Sequence, residues 1–151
     1  MKKLVSLLVA LVMGIAAFAQ VMPSGVDYLS DAADGSITVR SMASGRNRHY
    51  AFENAKKLAL RTVLFKGVNV PGNASLSKPL ILDLNAQDKY EAFFNKFFAD
   101  GGAWQQYVSM RDKRSGSLVR NASSNELTIQ TTVRVLRSEL KQYLKDNNII
   151  Q

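Results

Sequence analysis

The stretch Ser36–Lys66, SITVRSMASGRNRHYAFENAKKLALRTVLFK, changes its hydrophobic period halfway, and that change decides the fold. From Ser36 to Ala43 the pattern has period two: Ile37 and Val39 fall on one side, Thr38 and Arg40 on the other, as in a half-buried strand. Ser44-Gly45 ends it. From about Asn47 to Lys66 the period becomes helical. Ala51, Ala55, Leu58, Ala59, Thr62 and Val63 recur at i, i+4, i+7, i+8, i+11 and i+12, one continuous stripe. Three of these six are alanine, so the helix can approach its neighbour closely. Lys56, Lys57 and Arg61 take the opposite face, and Gly67 suits the left-handed position after a helix end.

Working outward, residues 20–35 are rich in turn formers (Pro23-Ser24-Gly25, then Asp31-Ala32-Ala33-Asp34-Gly35) and are expected to be a flexible lead-in. Residues 67–86 form a long connection with Pro71-Gly72 and Pro79; its one apolar run, Leu80-Ile81-Leu82, suits a short strand or a plug over the core. A second helix is expected from Asn85 or Ala86 to Ala99. Tyr90, Phe93, Phe94, Phe97 and Phe98 make its buried stripe, a pattern that more often builds a core than a ligand groove. A strand is expected over Trp104–Arg111, then hairpin turns at 112–116 and 121–125 around a short strand at Ser117–Arg120. The last strand alternates most cleanly, with Leu127, Ile129, Thr131, Val133 and Val135 against Thr128, Gln130, Thr132 and Arg134. A final helix opens at Arg137 or Ser138, buries Leu136, Leu140, Tyr143 and Leu144, and stops at Asn147-Asn148. The order β-α-α-β-β-α, with a hairpin among the strands, implies an α+β domain over residues 36–151. Its sheet has three or four mainly antiparallel strands, with helices packed on one face and the alanine-rich helix crossing centrally.

Three segments carry a family resemblance: Gly35–Gly45 running into Asn47–Ala55, the continuation Lys56-Lys57-Leu58-Ala59-Leu60-Arg61, and Thr132-Val133-Arg134-Val135 followed by Leu140, Leu144 and Ile149. Together they resemble the superfamily of the N-terminal domain of the flagellar assembly protein FlgT and of small surface lipoproteins of Gram-negative bacteria. In that group a strand ending in glycine leads into a helix of repeated alanines, and a late strand leads into a short amphipathic helix. The resemblance implies an envelope accessory domain that binds other proteins or stabilises an assembly, and it implies no reaction. The aromatic helix at Tyr90–Phe98 and the lack of a lipidation cysteine depart from the lipoprotein pattern.

The chain's first residues point to export. Met1-Lys2-Lys3 is a cationic start, Leu4–Ala19 carries no charge, and Ala17-Phe18-Ala19 offers the small-x-small pattern of a signal peptidase site. At about 1.5 Å per residue the apolar run spans roughly 24 Å, short of the ~30 Å bilayer core. Residues 1–19 are therefore expected to be a signal peptide cleaved after Ala19. The product would be periplasmic or outer-envelope associated, with no transmembrane segment in its mature form. The 151 residues include no cysteine, which excludes disulfides, thiolate metal sites and cysteine nucleophiles. Formal charge is +8, falling to +6 without Lys2 and Lys3, a surplus that favours anionic partners.

Enzymatic signatures are sparse. His49 is the single histidine, set between Arg48 and Tyr50, a poor setting for a general base. There is no Gly-x-Ser-x-Gly elbow and no phosphate-cradling glycine loop. Asp83, Asp88 and Glu91 are the nearest carboxylate cluster but lack calcium-loop spacing. No catalytic residue, metal or cofactor is expected. The basic cluster Arg46-Asn47-Arg48-His49 at a helix start opposes the helix dipole, at about 0.3–1 kcal/mol per cation, and so suggests an anion or partner site. Lys113, Arg114 and Arg120 form a second basic group. Nucleic acid is not an expected partner, because the aromatics lie on a helix stripe rather than among these cations. Asn73-Ala74-Ser75 and Asn121-Ala122-Ser123 are sequons by pattern, relevant only to a eukaryotic secretory route. The sequence thus leads to a non-enzymatic envelope domain acting through protein contacts. The alternatives are a cationic binder of an anionic envelope glycan or lipid, and a carboxylate-based hydrolase.

Overall fold

A computed structural model describes residues 25–110, 117–120 and 126–151. The fold is mixed α+β: an antiparallel sheet four strands wide with helices packed against it. The strands are β1 (Val26–Asp31), β2 (Ile37–Gly45), β3 (Val108–Met110), β4 (Ser117–Arg120) and β5 (Leu127–Val135). Their order is β1-β2-β5, and the fourth row is shared by β3 and β4, which pair with opposite halves of β5. The helices are α1 (Arg48–Arg61, continued by a π-helical turn Thr62–Lys66), α2 (Ala74–Ser77), α3 (Ala86–Lys89), α4 (Glu91–Phe97) and α5 (Arg137–Asp146).

Registers of β2 and β5 carry out the period-two pattern. Ile37 lies opposite Val135, Val39 opposite Val133, Ser41 opposite Thr131, Ala43 opposite Ile129 and Gly45 opposite Leu127. These rows face the helices. Ile37, Val39, Val133 and Val135 join Leu60, Val63, Leu64, Phe94, Phe97, Trp104, Leu140 and Leu144 in the main core. At the other end of the sheet Ala51 and Ala55 pack on Ile129. Small residues on both sides let α1 lie close along the two central strands. The Ser41 hydroxyl donates to the Ala55 carbonyl at 2.8 Å, and Gly45 passes under the Ala51 amide. The stripe reads as expected at Ala51, Ala55, Ala59 and Val63, with Leu60 and Leu64 buried beside them.

Several expectations change. Part of the segment read as a flexible lead-in is strand β1, whose Val26 and Tyr28 pack against the core and whose alternation is broken by a bulge at Leu29. Its turn formers close the β1–β2 hairpin: Ala32 N–H donates to Ser36 O at 3.0 Å, and Gly35 takes φ +76°. The strand expected from Trp104 begins only at Val108. Ala103–Tyr107 is a 3-10 turn that drops the Trp104 indole into the core and lets its Nε1–H donate to the Ala99 carbonyl at 2.9 Å. β3 and β4 run the same way along β5 and are not paired with each other; β4 pairs antiparallel with β5. Turn conformations expected at 112–116 and 121–125, like the signal peptide and its cleavage site, lie outside the described residues.

The aromatic helix is interrupted at Tyr90, where φ −117° and ψ 34° leave the helical region, and it ends at Phe97 rather than Ala99. Leu80-Ile81 is a plug. Both side chains are buried, and their amides donate to the carbonyls of Val63 and Leu64, at 3.1 and 2.9 Å, where the π-helical turn frees them. Gly67 closes that turn with φ +81° and an N–H bond to Thr62 O at 2.7 Å.

Candidate functional site

Three surfaces concentrate chemistry. The first is the end of the sheet where β2 passes into α1. Asn47 caps the helix, its Oδ1 accepting the Tyr50 amide at 3.0 Å, and residues 46–49 are exposed. The Arg46 guanidinium lies 3.9 Å from the Tyr50 ring centroid and donates to the phenol oxygen. Arg48 lies 5.3 Å over Phe52, and His49 meets Tyr50 edge-on at 5.8 Å. The arginines are therefore laid on aromatic rings, an arrangement that offsets their opposition to the helix dipole. Of the second basic group, the backbone of Arg120 reaches this same end, because Arg120 pairs with Leu127 and Leu127 with Gly45. Lys113 and Arg114 lie outside the described residues.

The second surface is the sheet face turned away from the helices. Its rows are Thr38 opposite Arg134, Arg40 opposite Thr132, Met42 opposite Gln130 and Ser44 opposite Thr128, with Asp27 of β1 beside Arg40. The helices supply their buried side chains to the inner clusters; on this face Arg40 is exposed, Met42, Ser44, Gln130, Thr132 and Arg134 are half-buried, and Thr38 and Thr128 are buried. The face is pinned by polar contacts. The Ser44 and Thr128 hydroxyls are 2.7 Å apart. Arg134 donates to the Ser36 hydroxyl at 2.8 Å and pairs with Asp34. Bonds from Ser36 to Asp34, with the Arg134 charge behind them, hold the Asp34 carboxyl below the usual carboxylate range. The alternation of residues 38–44 and 128–134 was a sufficient signal for this face. Asp27 and Asp34 were missed because their segment reads as a turn.

The third is aromatic. Phe94, Phe97 and Phe98 are core, whereas Phe93 and Tyr143 are half-buried and line an open cleft of about 420 Å³ with Lys96, Asp100, Gly101, Gly102 and Asn147. Behind it, burial first and the neighbouring Tyr143 second raise the Tyr107 phenol above its ordinary value. A smaller hollow of about 200 Å³ lies between Arg61, Asp88, Glu91 and Phe98, with Arg61 4.7 Å over the Phe98 ring.

Among the described residues no three His, Asp or Glu side chains stand together as metal ligands, and no helix is long and apolar enough to cross a membrane. No protein-family model, curated protein or solved structure matches the chain. The site defines a two-layer α+β domain with one polar sheet face turned away from its helices.

Proposed function

We propose that the chain is a non-enzymatic, exported accessory domain of the bacterial cell envelope that works through contacts with other proteins. The supporting observation is the open sheet face. Arg40, Met42, Gln130, Thr132 and Arg134 share one surface beside the edge strand β1, Arg40 exposed and the others half-buried. A pleated face of hydroxyl, amide and guanidinium groups offers a partner hydrogen bonds at fixed spacing, held by the Arg134–Asp34 and Ser44–Thr128 contacts. The Met1–Ala19 pattern supports export. The test places a photo-crosslinking residue at Arg40 or Thr132 in the full chain, with one at Lys141 on α5 as control. A discrete protein adduct from Arg40 and Thr132 but not Lys141 supports the reading; no adduct from either face position overturns it. Mass spectrometry of the mature N-terminus tests export, with Gln20 expected first.

A second reading, binding of an anionic envelope glycan or lipid, is favoured by the exposed arginines stacked on Tyr50 and Phe52. Such binding would weaken with salt and with Arg46→Ala/Arg48→Ala. Retention on lipopolysaccharide that ignores both would overturn it.

A further inference from the structure

We infer that the aromatic cleft is a binding site for a neutral pyranose ring. It opens where the C-terminal ends of α4 and α5 meet the turn Asp100-Gly101-Gly102. Phe93, Phe97 and Tyr143 form its floor. Their centroids are 5.7–6.0 Å apart; Phe93 and Phe97 are nearly parallel at 7°, Phe97 and Tyr143 stack at 28°, and Phe93 and Tyr143 are tilted by 32°. Phe97 is buried and braced by Tyr107, while the half-buried Phe93 and Tyr143 are the rings a ligand can reach. The turn leaves this floor uncovered. Gly101 takes φ +75°, and a Cβ on Gly102 would press on the Phe97 carbonyl oxygen, so both positions suit glycine and neither sends a side chain over the rings.

The polar rim decides the ligand class. Lys96 makes no ion pair among the described residues, Asp100 pairs with Lys57 at 3.2 Å, and the Asn147 amide donates to the Tyr143 carbonyl at 2.9 Å. Lys96 opposes a cation and Asp100 an anion, so a singly charged ligand gains at one rim group what it loses at the other. A wholly apolar ligand would cover the rim groups without satisfying them. A sugar ring avoids all three penalties. Its C–H face packs on the aromatic rings, and its hydroxyls donate to Asp100 and accept from Lys96 without carrying charge. A volume of about 420 Å³ falls within the ~300–1,000 Å³ typical of small-molecule sites.

The test is a titration of the isotopically labelled chain with N,N′-diacetylchitobiose and with maltose, both neutral, followed by amide NMR. Purified peptidoglycan sacculi, in a pull-down, separate a wall glycan from a free sugar as the source. Saturable shifts are expected at Gly101, Gly102 and Asn147, with affinity falling about tenfold in Phe93→Ala and measurably in the exposed rim variant Asn147→Ala, which removes no core packing. Shift dispersion of each variant reports whether it remains folded, and Leu84→Ser, at an exposed loop, serves as an unaffected control. No saturable shift with either sugar overturns the inference. So do an affinity left unchanged by both Phe93→Ala and Asn147→Ala, and shifts at the cleft produced by tetramethylammonium or benzoate but not by the sugars.

Discussion

Gly45 and Ala51 meet backbone to backbone: a Cβ on Gly45 would stand 2.5 Å from the Ala51 amide nitrogen and 2.9 Å from its Cα. This is where the last residue of β2 passes beneath the first turn of α1, so the clash cannot be relieved by turning a side chain. Gly45→Ala must push the helix off the sheet. The expected loss is about 2 kcal/mol, near the middle of the ~1–3 kcal/mol range for overpacking, and Gly45→Val should cost more. Chemical denaturation measures it; a variant as stable as the parent would mean that the helix does not sit this close.

The same close approach makes Ala55 intolerant of volume. It is fully buried against Ile129, with Ser41 bonded to its carbonyl. Ala55→Leu should destabilise by about 1–3 kcal/mol or more. Ser41→Ala should cost only about 0.5–1.5 kcal/mol, because the Ala55 carbonyl lies within a helix that already supplies it a partner. A reversed ranking of the two would contradict the packing described.

Much of this architecture was legible because burial and period coincide in β2, α1, β5 and α5. Each has one wet face and one dry face, so alternation or a helical stripe reveals both the element and its orientation. What escaped reading has specific causes. Strand β1 is six residues long and its bulge at Leu29 breaks the period, so its hairpin turn at Asp31–Gly35 looked like slack chain. Trp104 reads as a strand residue because a 3-10 turn and a strand both bury isolated large side chains; the backbone bond from the Gln105 amide to the Gly102 carbonyl at 3.3 Å marks the turn. The open sheet face was implicit in the alternation. Arg134–Asp34 spans 100 positions and left no local mark, and the cleft depends on two helices ending side by side, a tertiary fact.

Trp104 offers a direct stability test. Its side chain is fully buried among the core residues and is the single tryptophan of the chain. Trp104→Ala should cost about 3–5 kcal/mol. Trp104→Phe keeps most of the volume and removes the indole donor from the Ala99 carbonyl, which still accepts the Gly102 amide at 2.9 Å, so the lost bond should cost only about 0.5–1.5 kcal/mol. In the parent protein, indole fluorescence should shift to the red in a single step with loss of far-UV circular dichroism. A red-shifted spectrum before unfolding would place the indole in water and contradict its burial.

Acid stability should depend on Asp34. Its carboxyl is held below the ordinary range by its bonds to Ser36, with Arg134 adding to them. A depressed folded-state value means the contribution is present above the unfolded carboxylate range near pH 4 and is lost as pH falls through the lower folded value. Asp34→Asn should therefore flatten the acid limb of the stability curve while leaving the shape near neutrality unchanged. Arg134→Gln should flatten it less, since it leaves the Ser36 bonds in place. An unchanged acid limb in Asp34→Asn would remove the linkage.

The alkaline limb belongs to Tyr107 and runs the opposite way. Burial, reinforced by Tyr143, Glu139 and Asp146, favours its neutral phenol, so the folded-state value lies above the unfolded one near 10. The folded chain thus holds this proton more tightly. Stability from the group is complete below about pH 10 and is lost as pH rises through the raised folded value. Tyr107→Phe keeps the ring against Phe97 and Tyr143, at 6.1 and 5.2 Å, and removes the ionisable oxygen. It should unfold at a higher pH than the parent while matching its stability at neutrality to within about 1 kcal/mol. Tyr28, whose phenol bonds Asp31 at the exposed edge, is also raised, so Tyr28→Phe should move the limb the same way. Alkaline titration followed by absorbance near the phenolate band, run on each single variant, separates the two contributions, because each substitution removes one phenol from the signal.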